Sequence, residues 1–175
     1  MTNTAPCRHS EEEKSGMKIR DKRLDDQPWI EAILKERWGG EGQVVVHGEI
    51  FEARLLPALI AGEQEGLSNY QIHRTNDSVF AELITLDAIT PKQGVGTALI
   101  EALASRLQAR GVTILRVTTT NDNLDALRFY QRRGFRITVV RPGAVDEARR
   151  LKPSIPAIGD YGIPIRDELE LERQI

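Results

Sequence analysis

Apolar side chains recur along this chain with two different periods, and the switching between them lays out the elements. From Pro28 to Trp38 the residues Trp29, Ile30, Ile33, Leu34 and Trp38 fall on one helical face, and Gly39-Gly40 ends the run. A second helical stripe comprises Val95, Ala98, Leu99, Ala102, Leu103 and Leu107. It opens at Lys92-Gln93-Gly94-Val95-Gly96-Thr97, continues to Arg110 and stops at Gly111. Around these helices the pattern shortens to strand runs. Met17–Arg20 is a short first strand, and Val44–Val46 is a strand or an extended lead into His47-Gly48. Leu55–Ala61 and Leu67–Arg74 form a pair joined around Gly62–Gly66, and Asn76-Asp77 turns the chain into Phe80–Asp87. That last run has strand character and carries Glu82 within it. Strict alternation puts Glu82 on the face of Phe80, Ile84 and Leu86.

Val112–Thr119 reads as a further strand, and Asn123 caps a helix that passes through Ala126 and Tyr130 to a stop at Gly134. Strand, helix and strand of these lengths make a right-handed crossover, so the strands flanking the Val95 helix lie parallel in one sheet. Arg136–Arg141 adds a strand, Pro142–Leu151 holds a short helix, and Lys152–Pro164 is a loop rich in proline and glycine. Glu168–Arg173 alternates with period two, as a half-exposed closing strand does. The pattern predicts an α/β fold: a mixed sheet, parallel at its centre, flanked by helices on both faces.

Bulk properties narrow the classes of partner. A chain of 175 residues fits one domain, expected over residues 17–175, and no repeat or low-complexity linker divides it. Residues 1–16 are polar without an apolar core, so they read as a disordered lead and not as a secretory signal. Cys7, the single cysteine, falls in that lead; it allows no intrachain disulfide, in keeping with a cytoplasmic location. A net charge of −2 and a pI near 6.0 give no electrostatic reason to expect nucleic acid or an anionic membrane. No apolar stretch approaches the ~20 residues of a transmembrane helix.

Candidate chemistry gathers between Phe80 and Phe135. A glycine turn at the start of a helix suits an anion, because the early N–H groups of Val95, Gly96, Thr97 and Ala98 lack intrahelical partners at the positive end of the dipole. Upstream, Glu82 faces otherwise apolar positions, and burial moves a carboxylate toward the basicity a proton acceptor needs. Its plainer role is an ion pair across the sheet, with Arg116 the nearest candidate. Tyr130 has a plain role as core filler, Asn123 as an N-cap, and Gly94 and Gly96 as a bare helix start. Arg128, Arg132 and Arg133 read as a solvated helix face, with the alternative that one of them meets a phosphate. His47 and His73 have no assigned place, and no metal-ligand spacing is present, so no metal is expected.

Gly94-Val95-Gly96 at a helix start, followed by Asn123, Ala126, Phe129, Tyr130, Gly134 and Phe135 in the pattern Asn-x-x-Ala-x-x-Phe-Tyr and Gly-Phe, resembles the GNAT superfamily of acetyl-CoA-dependent N-acetyltransferases. The surrounding pattern extends the likeness over Lys18–Arg173. It implies a GNAT-like sheet and transfer of an acetyl group from acetyl-CoA to a primary amine, on a small molecule or a protein, by direct attack in a ternary complex. On the residues that match, Glu82 would be the general base, acting through water, and Tyr130 the acid that protonates the departing thiolate. The pyrophosphate would lie on Gly94, Val95, Gly96, Thr97 and Ala98. Pro91 stands where the family has Gln or Arg, which leaves Lys92 and Gln93 to supply the polar side chains. Leu86, Asp87 and Ala88 would offer a backbone N–H to the oxyanion. Asn123 would lie beside the pantetheine arm, with Ala126, Phe129 and Tyr130 completing the cofactor-binding set. Acceptor choice would fall to Trp29–Gly48 and Lys152–Pro164, in a monomer or a homodimer. Two rivals remain: a non-catalytic acyl-CoA-binding or sensing module, and a Rossmann-type nucleotide binder. The latter lacks its third glycine and the acidic residue near Thr118.

Overall fold

The computed structural model describes residues 17–75 and 78–175. The lead over residues 1–16 with Cys7, and the Asn76-Asp77 turn, lie outside the described residues. In chain order the elements are β1 (Ile19–Asp21), α1 (Gln27–Trp38), β2 (Gln43–Val46), β3 (Glu49–Glu52), β4 (Ala58–Ala61), β5 (Gly66–Arg74), β6 (Val79–Ala88), α2 (Val95–Gln108), β7 (Ile114–Thr120), α3 (Leu124–Gln131), β8 (Arg136–Arg141), α4 (Ala144–Leu151) and β9 (Glu168–Gln174). Seven strands form one sheet in the order β1-β4-β5-β6-β7-β9-β8, and β2 and β3 form a separate hairpin. Among the described residues only β6 and β7 pair in parallel; they are joined through α2, the crossover that the strand–helix–strand spacing predicts. The fold is therefore α/β, with a mixed sheet whose parallel pair sits at its centre.

Each face of the sheet has its own core. Against one face lie α2 and α3, with Leu99, Ile100, Leu103 and Leu107 of α2 packed on Leu83, Leu115, Val117 and Leu171, all essentially inaccessible to water. Removing apolar area of this kind from water supplies roughly 25 cal/mol per Å², the main favourable term in folding. The approach of α2 is close enough that a Cβ at Gly66 of β5 would fall 2.4 Å from Val95 Cγ1. Against the other face α1 packs Ile30, Ile33 and Leu34 over Ile60, Leu67 and Ile84, with Val44, Val46 and Phe51 of the hairpin beside them.

Three details differ from the pattern. Glu49–Glu52, which charged ends disguise, is the second arm of the hairpin. Ala53–Leu55 is a 3-10 turn, so the strand expected from Leu55 begins at Ala58. The strand expected to close the sheet half-exposed is instead interior: β9 lies between β7 and β8, and Glu168 and Glu170 are 3% and 2% exposed. Its alternation is real, but the glutamates face a buried polar layer where the pattern implied solvent.

Candidate active site

An extra residue in β6 organises the site. β5 alternates without interruption, but Asn69 pairs with Thr85 and Tyr70 with Leu83, which leaves Ile84 unpaired as a β-bulge. The bulge moves every later side chain of β6 to the opposite face. Phe80, Glu82 and Ile84 face α1; beyond the bulge Thr85 and Asp87 also face α1, the former bonding Asn69 at 2.7 Å and the latter accepting from Trp38 Nε1 at 3.1 Å. Leu86, expected on the Glu82 face, turns to the α2 side, where it would lie 3.7 Å from a Cβ at Gly96. Parallel pairing of β6 with β7 ends at Leu83 and Val117, so the two strands part over the segment Leu86, Asp87 and Ala88. The edge of β6 that faces β7 has no ladder partner there, and its peptide groups are open to an incoming ligand.

Glu82 is 3% exposed and does not pair with Arg116, although the two stand opposite in register. The Arg116 guanidinium goes to Glu172 at 2.7 Å and Glu170 at 3.3 Å, and lies 4.1 Å over the Phe80 ring. Two histidines flank the carboxylate instead, and of the two it is His47 that hydrogen-bonds it. His47 Nε2 is 2.8 Å from Oε1, and His73 Nε2 is 3.3 Å from Oε2. Stacking on Phe80, with ring centroids 4.7 Å apart, fixes the His73 ring. His47 arrives on the two-residue turn of the hairpin, where φ is +55° at His47 and +72° at Gly48. Positive φ at both positions is type I′ geometry, which favours Asn or Gly at the first; a histidine there is held under backbone strain, a recurrent property of functional positions. Thr118 Oγ1 is 3.1 Å from the same Nε2. The hydrogen bond to Glu82 raises the His47 pKa above its ordinary value; burial opposes this, the Glu82 and Glu168 charges add to it and the Arg141 charge subtracts. Neither histidine was placed by the sequence pattern. The signal that could have found His47 is the X-Gly pair between two short apolar runs, which marks a tight hairpin.

The glycine turn has the form an anion requires. Gly94 sits at φ +81° as the N-cap of α2, supplies no side-chain cap, and nothing lies within 4 Å of where its Cβ would be. The first intrahelical bond runs from Ala98 N to Gly94 O, so the amides of Val95, Gly96 and Thr97 have no helical acceptor. Lys92, itself at φ +66°, and Gln93 are exposed beside them. At Gly96 the close neighbour is Phe129: a Cβ would fall 3.1 Å from its Cζ, so this glycine admits the packing of α3 on α2. Arg133 departs from the expected solvated face. Its guanidinium lies 3.6 Å over the Phe129 ring and bonds Thr97 Oγ1 from Nε at 2.9 Å, which fixes a cation beside the open amides. Arg128 pairs with Asp125 at the surface, as the pattern implied.

In α3, Asn123 Oδ1 accepts from Ala126 N at 3.0 Å, which is the predicted cap. Tyr130 is 7% exposed and packs edge-on against Phe129 and Phe135 on the α2 side of the sheet. Its hydroxyl makes no hydrogen bond among the described residues. Burial, with a smaller contribution from the Asp87 charge, pushes its pKa well above the ordinary phenol value, so the group keeps its proton.

A cavity of about 130 Å³ lies where β6 and β7 part. It is lined by Trp38, Val44, Val45 and Val46 on one side, Glu82, Leu83 and Ile84 of β6, Thr118, Thr119 and Thr120 of β7, then Asn123 and Glu168. The structure thus brings Glu82 and Asn123 to one space at the parting of β6 and β7, while Tyr130 does not line it. Of the segments expected to choose the acceptor, Trp29–Gly48 contributes lining residues. Lys152–Pro164 contributes none, although Lys152 Nζ donates to the carbonyls of Trp38 and Gln43 and so ties α4 to the hairpin.

Comparison with known proteins agrees with this geometry. Residues 84–135 match the acetyltransferase (GNAT) family. The uncharacterized protein YdhI of Bacillus subtilis is 36% identical over 143 residues, covering 82% of this chain and 89% of its own. Among solved structures, a Bacillus subtilis acetyltransferase in complex with CoA superposes with a TM-score of 0.64 at 17% identity, covering 91% of this chain and 99% of that one. A GNAT family acetyltransferase from Elizabethkingia anophelis with acetyl-CoA bound gives 0.56 at 20% identity, covering 68% and 76%.

Proposed function

The chain belongs to the GNAT family of acetyltransferases and is thus an acyltransferase, and we propose that it transfers the acetyl group of acetyl-CoA to a primary amine by direct attack, with Glu82 accepting the amine proton. The observation that carries this is the cavity in which a buried glutamate faces the parting of two parallel strands, together with a helix start a few residues beyond the end of β6 whose first amides have no helical acceptor. Those amides, of Val95, Gly96 and Thr97, with Arg133 alongside, suit a pyrophosphate, and the two structural neighbours described above hold CoA or acetyl-CoA. Lys92 and Gln93, exposed beside that turn, would meet the same phosphates in place of a side chain at Pro91. Bound acetyl-CoA would supply an activated thioester carbonyl.

The remaining chemistry falls to this chain. The free edge of β6 over Leu86, Asp87 and Ala88 would donate a backbone N–H to the oxygen that gains charge during attack. Glu82 takes a proton from the amine, directly or through water, as the C–N bond forms and the C–S bond breaks; the proton lost by the amine balances the one gained by the thiol. Tyr130, protonated throughout the working pH range, directs its O–H to the departing sulfur. It would pass that proton to the sulfur as the C–S bond breaks and be reprotonated from the solvent, so the coenzyme leaves as a thiol. Asn123 at the start of α3, with Ala126 and Phe129 beyond it, would lie along the arm of the coenzyme. The cytoplasm is the compartment that fits the single cysteine.

A thiol-release assay with acetyl-CoA and a panel of primary amines tests the proposal. Amine-dependent release of CoA matched by N-acetyl product is the expected result. Tight CoA binding with no amine-dependent release would instead make the protein an acyl-CoA-binding or sensing module.

A further inference from the structure

One aromatic ring lines the cavity among the described residues, and two bonds pin it. Trp38 ends α1, whose Ile30, Ile33 and Leu34 are sunk in the core. Its carbonyl accepts from Lys152 Nζ, and its indole Nε1 donates to Asp87 Oδ2 at 3.1 Å. Among the described residues that carboxylate has no other hydrogen bond and no ion-pair partner. Burial pushes the Asp87 pKa up, while the indole bond and then the Arg37 charge pull it down. A half-buried carboxylate gains little from one neutral donor; what the bond does fix is the ring.

Asp87 lies on the stretch of β6 whose free edge would receive the thioester oxygen, and its side chain points to the α1 face. The sulfur would lie toward Tyr130, on the α2 side. The acyl carbon and the incoming amine are then left the α1 side, where the cavity runs between β6, the hairpin and the Trp38 ring. Its apolar walls are otherwise core: Val44, Val46 and Ile84 are 6%, 7% and 7% exposed. An apolar cavity of ~150 Å³ holds one benzene, so about 130 Å³ takes an acetyl group with the amine head and little more. Resting on the acetyltransferase reading, we propose that Trp38 sets the acyl-chain length of the CoA thioester: its indole, positioned by Asp87, closes the cavity behind the acetyl methyl and excludes longer chains. Each further methylene would have to displace a ring that is held at both its carbonyl and its N–H.

Calorimetric titration of the protein with CoA, acetyl-CoA and butyryl-CoA tests this without an acceptor amine. The wild type is expected to bind butyryl-CoA at least ~10-fold more weakly than acetyl-CoA. Trp38→Ala should abolish that difference, and Trp38→Phe should reduce it. Asp87→Ala, which frees the ring, should narrow it as well, whereas Asp87→Asn, which keeps an acceptor for the indole, should retain it. Each ratio is taken within one variant, so a general loss of affinity cancels. Equal affinities in the wild type, or a ratio unmoved in both Trp38 variants, would overturn the proposal. A ratio moved by Trp38→Ala but not by Asp87→Ala would overturn the part given to Asp87. Failure of all three ligands to bind would sink the acetyltransferase reading and this inference with it; tight CoA binding without a chain-length preference would sink this one alone.

Discussion

The two faces of the central sheet solve opposite problems. On the α2 side, Leu99, Leu103 and Leu107 meet Leu115 and Leu171 with no charged side chain buried among them. On the α1 side, the same strands turn Glu82, Thr118, Glu168 and Glu170 into a buried polar layer under the His47 turn. The α2 face is held by apolar area alone; the α1 face has its own apolar cluster under α1 and adds beside it a layer of paired polar groups around the cavity. β6 serves both because the bulge at Ile84 changes which of its residues look each way. The lesson is that stability and chemistry are separable here, and that substitutions should sort by face.

The sharpest exception to that division is Tyr130, a polar group on the apolar side. Tyr130→Phe is expected to lower turnover by about 10²-fold or more while CoA affinity and melting temperature stay near wild type, since the hydroxyl has no partner among the described residues to lose. Wild-type turnover across the pH range would assign the ring to packing alone. The next effect in size belongs to the apolar core itself. Leu103→Ala, at a position 0% exposed, should cost about 2–5 kcal/mol of stability in denaturant titration with turnover per folded molecule unchanged. A loss below ~1 kcal/mol would mean that the α2 face relaxes around the cavity.

The smallest effect comes from the polar face. His47 has a folded-state pKa raised above 6.5, so its pairing with Glu82 stabilises the fold fully below that pH and is lost as pH rises through the raised value. Melting temperatures of the wild type and His47→Gln should therefore differ most below pH 6.5 and converge above the raised pKa. A gap independent of pH would show that the imidazole contributes packing and no charge.

The sequence made the apolar half of this picture legible and left much of the polar half hidden. Helical periodicity marks α2 with both its glycine start and its stop, and Asn123 through Tyr130 announces α3 and its cap. Glu82 is conspicuous as a carboxylate inside a strand. The bulge at Ile84 leaves no such trace, because Leu83-Ile84 looks like part of any buried strand, and alternation alone puts Leu86 on the wrong face. β3 was hidden by the glutamates at its ends. The position of β9 depends on long-range pairing, which alternation alone does not encode; its glutamates look solvent-facing until β8 covers them. The partners of Glu82 lie 35 residues upstream at His47 and on the neighbouring strand at His73, and nothing local predicts that convergence.

Glu82→Gln, followed by pH–rate profile and melting temperature together, addresses the proton acceptor directly. Glutamine keeps the size of the side chain and can still hydrogen-bond His47, but it is not a base. If Glu82 accepts the amine proton, the variant melts near wild type and turns over at least ~10²-fold more slowly at pH 7, with partial recovery at high pH as free amine accumulates. A variant that melts much earlier, yet turns over normally per folded molecule, would make Glu82 only the counter-ion of two histidines.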